Sequence, residues 1–185
     1  MDDIIQYFKY AMLFPIIVVF LVSIIIIPLL FNANYAIQYG EQNYYFSSGF
    51  IWPTPNFTRI SSPFGRRNSP TQGASSYHKG IDIAANQGSS VLAISSGTVT
   101  FAGWSSSGGY MIIIEHENGF DSRYCHLGET LLVTKGQKVY AGQTIATVGP
   151  KYVSGGRLNG ATTGVHLHLG IRKDGEFVNP LQFFH

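Results

Sequence analysis

The sequence has 185 residues with 21 glycines, a single cysteine and a formal net charge of +2. This length allows about one ordinary domain beside a membrane segment, the small charge gives no sign of nucleic-acid binding, and one cysteine excludes an internal disulfide. Tyr, Phe, Val, Ile and Thr are interleaved with Gly and Ser, a pattern typical of short β-strands joined by tight turns.

An apolar run near the N-terminus is the first feature along the chain. Tyr10–Phe31 comprises 22 residues without a charged side chain. As a helix this run would be roughly 33 Å long, enough to cross the hydrocarbon core of a bilayer. A cleaved signal peptide is the alternative, but the run is longer than a usual signal h-region and no A-x-A site follows it. We therefore expect a transmembrane anchor, with residues 1–9 as a short cytoplasmic N-terminus.

A polar segment rich in Gly, Ser, Asn and Tyr follows at 32–50 and is predicted to be a linker. The folded domain is predicted at 51–185. Leu127–Val133 is interpreted as one helical turn, and residues 136–149 as two short strands around a tight turn. Further strands are predicted at Val91–Ile94, Thr98–Ala102, Tyr110–Glu115, Phe120–Cys125 and Val165–Ile171.

No amphipathic helix is recognisable after Phe31. The predicted fold class is therefore mainly β: an antiparallel sheet of barrel- or sandwich-like form that carries an active-site groove, preceded by one transmembrane helix.

Two histidines, His166 and His168, are separated by one residue in a short apolar run. Side chains alternate between the faces of a strand, so both histidines are expected on one face and Leu167 on the other. Imidazole is a common metal ligand and proton shuttle, which makes the pair a candidate metal site. A purely structural role is the alternative for strand histidines.

Another histidine and a carboxylate, His78 and Asp82, lie four residues apart, and Gly80 between them allows a sharp bend. Catalytic zinc sites typically use three protein ligands and keep a fourth position open. His78, Asp82 and one of the two late histidines meet that number, and the spacing leaves open which of the two is the ligand. Zinc suits the donor set best, although manganese and iron bind similar ligands.

One more histidine, His126, ends the run Ser122–His126. Alternation predicts that it shares a strand face with Tyr124 and that Cys125 faces away from it, so we expect a small buried thiol rather than a thiol protease. His116 is expected in a hairpin turn away from the metal.

Four motifs occur in a fixed order: S-x-F-G-x-R, H-x-x-x-D, Y-x-H-L and T-G-x-H-x-H. Together they resemble the M23 metallopeptidases, the lysostaphin/LytM-type enzymes that cut peptidoglycan peptides, over about residues 51–184. The matching residues are Ser62-Pro63-Phe64-Gly65-Arg66-Arg67, His78 with Asp82, Tyr124-Cys125-His126-Leu127 and Thr163-Gly164-Val165-His166-Leu167-His168.

The resemblance implies a zinc endopeptidase of the cell wall that binds one zinc ion per chain. It implies that His78, Asp82 and His168 are the zinc ligands, and that His126 and His166 are catalytic histidines that do not bind the metal. Peptidoglycan is the implied substrate and partner. Since peptidoglycan lies outside the cytoplasmic membrane, the anchor is expected to hold the domain on the extracytoplasmic side, where a secretion, conjugation or division machinery is a further candidate partner.

Two departures from the family pattern concern positions that are not ligands. Leu169-Gly170 stands where the family often has Phe-Glu, and Asn86 stands where a proline is common. These departures bear on substrate preference. Arg66, Arg67 and Arg123 are interpreted as surface charges, with contact to substrate carboxylates as the alternative.

Two other functions compete with the peptidase. Family members without activity serve as scaffolds or activators of other wall hydrolases, but these usually lack ligands, and all five site residues are present here. The segment from Lys135 to Ile145 resembles hairpins of biotinyl and lipoyl carrier domains, but it has no Met-Lys-type tip to carry the cofactor.

Overall fold

The computed structural model describes residues 50–70 and 75–184, which form twelve strands and two short 3-10 helices. The helices are Ser154–Gly156 and Pro180–Phe183. The strands are β1 (Ile60–Ser62), β2 (Gly65–Arg66), β3 (Tyr77–His78), β4 (Ile81–Ile83), β5 (Ser90–Leu92), β6 (Gly97–Ser105), β7 (Gly109–Glu115), β8 (Phe120–Cys125), β9 (Lys138–Val139), β10 (Thr144–Thr147), β11 (Leu167–Lys173) and β12 (Glu176–Val178).

The predicted anchor Tyr10–Phe31 lies outside the described residues, and so does the linker except for Phe50. Among the residues that are described, no helix is long and apolar enough to cross a membrane.

One large antiparallel sheet dominates the domain. Its strands follow the order β1-β4-β11-β8-β7-β6-β9, and β12 pairs with β11. Two further antiparallel pairs, β5 with β10 and β2 with β3, complete the architecture. The prediction of a mainly β, antiparallel domain is therefore confirmed.

The two faces of the large sheet have different environments. On β11, Leu167, Leu169 and Ile171 are fully buried, and they pack in one core cluster with residues of β5 and β10. Since side chains alternate along a strand, the residues between them, His168 and Gly170, belong to the opposite face. The core thus fixes which face of the sheet is left for polar side chains.

One local prediction is confirmed and one is wrong. Residues 136–149 contain two short strands, β9 and β10, around a turn, as predicted, although β9 pairs with β6 and β10 with β5. Leu127–Val133 contains no helical turn. Instead Leu127 forms an isolated bridge with Val148, and its side chain is fully buried. Long-range burial of the apolar Leu127 thus outweighs the local preference for a helical turn.

A chain of hydrogen-bonded polar groups runs through the core and includes Ser122 and Tyr124 of β8. The backbone N–H of Ile94 donates to the hydroxyl of Tyr124 at 2.9 Å, and the hydroxyls of Tyr124 and Ser122 lie 3.0 Å apart. Nε2 of His116 lies 2.7 Å from the Ser122 hydroxyl, and its Nδ1 donates to the Ser96 carbonyl at 2.8 Å. Burial lowers the pKa of His116. When His116 is neutral, the hydroxyl protons can be arranged so that every polar group in this chain has a hydrogen-bond partner.

Replacing Tyr124 by Phe should reduce the free energy of unfolding by about 1–3 kcal/mol, because the N–H of Ile94 would lose its partner inside the core. Urea denaturation of the wild type and Tyr124→Phe measures the difference. Tyr140→Phe is the matched control, since Tyr140 is 43% exposed. Equal stability of the two variants would contradict the importance of this chain of hydrogen bonds.

Candidate metal centre

Three side chains from three strands meet at one point on the outer face of the sheet. They are His78 at the end of β3, Asp82 in the middle of β4 and His168 on β11. Nε2 of His78 lies 3.0 Å from Nδ1 of His168, and these two nitrogens lie 3.1 and 2.9 Å from Oδ1 of Asp82. The three residues form a group whose donor atoms all lie within 4.8 Å of one another.

The contacts around His78 fit a metal ion at this group. Nδ1 of His78 donates to the carbonyl oxygen of Pro63 at 2.8 Å, which leaves Nε2 of the ring directed at Oδ1 of Asp82. A metal ion bound by this nitrogen and this oxygen is compatible with that arrangement. Ligands about 2.0–2.2 Å from a tetrahedral zinc lie roughly 3.3–3.6 Å apart, somewhat farther than the observed 2.9–3.1 Å.

Strand pairing and one glycine bring these residues together. His168 lies directly opposite Asp82 in the antiparallel pair of β11 and β4. A Cβ atom on Gly80 would lie 2.8 Å from the His168 ring and 2.4 Å from the Leu169 carbonyl oxygen. Gly80 is therefore required for the close approach of the β3–β4 connection to β11. The expected bend is confirmed, since the chain bends at Lys79 and Gly80 between β3 and β4.

His126 lies beside this group but not where strand alternation placed it. Strand β8 ends at Cys125, and His126 adopts a left-handed conformation with φ of 61°. Tyr124 points into the core, so a continued strand would have buried His126 there as well. The left-handed residue turns the chain instead, and the His126 ring lies 4.8 Å from the ring of His166 and 6.2 Å from that of His168. Strain of this kind is often found at functional sites.

The fifth residue, His166, immediately precedes β11. Its Nδ1 lies 3.0 Å from the Gly164 carbonyl oxygen, and its Nε2 lies 3.5 Å from Oδ1 of Asp82. As alternation predicted, His166 and His168 approach Asp82 from the same side while Leu167 points into the core. All five predicted site residues are therefore brought together, and His116 lies apart from them in its own network.

Burial and neighbouring groups determine the charges at the centre. Burial, together with the nearby His166 and His168, lowers the pKa of His126 to about 3, so this ring is neutral at neutral pH. Its Nδ1 donates to the Asn159 carbonyl at 2.6 Å, which leaves the lone pair on Nε2. Burial raises the pKa of Asp82, but hydrogen bonds from His166, His168 and His78 outweigh it and keep the pKa below its ordinary value.

Sequence reasoning missed one residue of the centre, Arg67, which it assigned to the surface. Nη1 of Arg67 lies 3.2 Å from Oδ2 of Asp82 and donates to the Ser62 hydroxyl at 2.5 Å. Its Nε is the one buried side-chain nitrogen or oxygen within the described residues that has no hydrogen-bond partner. Arg67 is thus a positioning residue for the carboxylate, and its place in the S-x-F-G-x-R motif was the available signal.

Cys125 lies opposite His168 in the pairing of β8 and β11, yet it is buried. Burial raises the pKa of its thiol to about 12, so the thiolate needed by a thiol protease is not formed at neutral pH.

A cavity of about 520 Å³ lies near the ends of β4 and β11, two of the three strands that carry the ligands, since Ala84 follows β4 and Val165 precedes His166. Asn86, one of the two departures from the family pattern, lies in its wall. The lining residues are Arg59, Ala84, Ala85, Asn86, Gln87 and Val165.

Comparisons with known proteins agree with this geometry. The model of Peptidase family M23 matches residues 76–180. The DD-carboxypeptidase/endopeptidase Mpg of Neisseria meningitidis serogroup B is 39% identical over 125 residues, which cover 68% of this chain and 27% of that protein. The murein hydrolase activator NlpD of Escherichia coli K12 is 36% identical over 137 residues, which cover 74% of this chain and 31% of NlpD.

A solved structure, described as a zinc containing peptidase from Vibrio cholerae, has the same fold. It superposes with a TM-score of 0.61 at 31% identity, covering 72% of this chain and 39% of that one. The chain thus spans about three tenths of the length of the two curated relatives.

Replacing Arg67 by Gln should weaken zinc binding roughly 10–100-fold, because the free oxygen of Asp82 would lose the partner that orients the carboxylate. Competition with a chromophoric chelator measures the affinity. Arg66→Gln is the matched control, as the neighbouring Arg66 is exposed on β2. Arg67→Lys should restore part of the affinity. Equal zinc affinity of Arg67→Gln and Arg66→Gln would show that Arg67 does not position the ligand.

Proposed function

Because the chain belongs to peptidase family M23, we propose that it is a zinc metalloendopeptidase that hydrolyses peptide bonds of peptidoglycan, in the stem peptide or in the cross-bridge. The observation that supports this most is the convergence of two imidazoles and a carboxylate on one point, with two further imidazoles beside them. His78, Asp82 and His168 would hold the zinc ion, while His126 and His166 would act on the substrate.

Zinc, when bound there, supplies Lewis acidity toward the scissile carbonyl and toward the attacking water. The protein contributes the proton transfers. The Nδ1–H of His126 is held by the Asn159 carbonyl, so its Nε2 would take a proton from the water and later give it to the leaving amine. The ring of His166 packs against that of His126, and because its Nδ1 is bound to the Gly164 carbonyl, an Nε2–H would be the group that stabilises the negative charge developing on the carbonyl oxygen.

The alternative is an inactive scaffold or activator of other wall hydrolases. The similarity to a murein hydrolase activator, at 36% identity, favours this reading. The complete donor set and the two additional histidines favour the enzyme, because a protein that only binds a partner has no need to gather five polar side chains, three buried and two half-buried, at one point. Release of fragments from purified peptidoglycan by this protein alone separates the two functions.

We expect different losses from the histidines of the centre. His168→Ala should lose zinc and activity together, whereas His126→Ala and His166→Ala should keep most of the zinc and lower turnover by roughly 10²–10⁴, the usual contribution of a positioned acid–base group. Zinc stoichiometry and the rate of fragment release are measured in parallel. His116→Gln is the control for loss of a buried histidine outside the centre. If His166→Ala contained no metal while His168→Ala kept its zinc, His166 and not His168 would be the zinc ligand.

We also propose that the chain is held in the cytoplasmic membrane by Tyr10–Phe31, with the peptidase domain outside the cytoplasm. The uncharged run supports the anchor, and the position of peptidoglycan supports the orientation. There it would act beside a secretion, conjugation or division machinery. Protease added to intact spheroplasts should remove the domain, while a cytoplasmic marker protein stays intact. Protection of the domain until the membrane is lysed would contradict this topology.

A further inference from the structure

A second group of charged residues lies on the same sheet face as the metal centre. Along β11, Gly170 and Arg172 follow His168 on that face, and Arg123 of β8 lies directly opposite Gly170. Two strand steps separate His168 from Gly170, a distance of about 7 Å. Arg123 therefore lies, along the sheet, about one or two extended peptide residues from the metal centre.

Three cations surround one aromatic ring at this position. Phe177 of β12 lies opposite Arg172. The ring centroid of Phe177 lies 5.3 Å from Nζ of Lys79, 5.4 Å from Cζ of Arg123 and 5.9 Å from Cζ of Arg172. The negative face of an aromatic ring attracts such cations, so Phe177 limits the freedom of these long side chains and orients them.

The negative charges nearby do not balance these cations. One carboxylate, Asp121, accepts from Nε of Arg123 at 3.1 Å and from Arg172 at 2.7 Å. Glu176 lies close enough to Arg172 to raise its pKa further, after Asp121. Lys79 is exposed and has neither an ion pair nor a side-chain hydrogen bond within the described residues. Within the described residues Lys79 is thus the cation of this group without a carboxylate partner, and Arg123 shares Asp121 with Arg172.

Gly170 lies among these cations and, being a glycine, supplies no acidic side chain to pair with them. A Cβ atom there would meet the Lys79 carbonyl oxygen at 3.1 Å, a ring carbon of Phe177 at 3.4 Å and Cβ of Arg123 at 3.7 Å. The position is therefore enclosed by the residues of the cation group itself. A carboxylate brought by a ligand is the group that complements Lys79 and the free Nη atoms of Arg123.

We propose that Lys79 and Arg123 form a subsite for a carboxylate of the substrate, and that the chain therefore prefers peptides with a free carboxylate about two residues from the bond that is cut. The distance follows from the 7 Å between His168 and Gly170, since an extended peptide spans about 3.3–3.6 Å per residue. The proposal rests on the proposed function for the identity of the substrate. It disfavours a neutral glycine bridge and favours an acidic stem peptide.

Binding of synthetic peptides to the full chain in detergent tests the subsite without requiring turnover. The probes are peptides of one sequence with Glu or Gln two residues before or after the central bond, titrated by calorimetry into protein freed of metal with a chelator. One of the Glu peptides should bind more tightly than its Gln counterpart. Lys79→Gln should weaken that peptide roughly twofold to tenfold and leave the Gln peptide unchanged.

Control variants test whether the preference for the Glu peptide depends on Lys79 and Arg123. Lys138→Gln removes the same charge from an exposed lysine on β9 and should leave the preference intact. Arg123→Gln, checked for folding by circular dichroism, should act like Lys79→Gln, and the double variant should bind Glu and Gln peptides equally. The proposal is overturned if the wild type binds both peptides equally, or if the double variant still prefers Glu. A Lys79-dependent preference without any release of peptidoglycan fragments would instead reject the proposed enzyme and retain the subsite.

Discussion

The carboxylate of Asp82 is the group on which the site depends. Its Oδ1 lies within 3.5 Å of a ring nitrogen from each of His78, His166 and His168, and its Oδ2 lies 3.2 Å from Arg67. A carboxylate that is mostly buried is costly unless charged or hydrogen-bonded groups compensate it. The three imidazoles and the guanidinium provide that compensation from three different parts of the chain. Asp82 thus links the ligand set to the fold.

Much of the site could be predicted from the sequence because its signals are local. Two histidines at i and i+2 require only strand alternation to face one way, and His78 with Asp82 requires only a short connection between two strands. The motif order then indicated which residues meet. His126 and Arg67 could not be placed in this way. The left-handed conformation of His126 and the contact of Arg67 with Asp82 depend on tertiary packing, which a period-2 pattern does not contain.

The fold was predictable in class but not in pairing. Short β-branched runs between glycines indicated the strands correctly, including the two short strands around a turn in residues 136–149, but not which strands pair. These two strands join different sheets, since Val139 and Ile145 reach the core through β6 and β5 respectively. Local sequence shows that a residue will be buried, but the partner strand is chosen by the whole core. The same reason explains why Leu127 forms a bridge rather than a helical turn.

The two faces of strand β11 have different roles: one packs in the core and the other carries a metal ligand. Leu167, Leu169 and Ile171 belong to the core, so substitutions there act on folding. His168, Gly170 and Arg172 lie on the opposite face, in the order metal centre, glycine and cation. A side chain at Gly170 would meet the Lys79 carbonyl oxygen, the Phe177 ring and Arg123, which belong to the proposed carboxylate subsite. Under that proposal, the glycine that stands here in place of the family's common acidic residue would bear on substrate preference without removing a metal ligand.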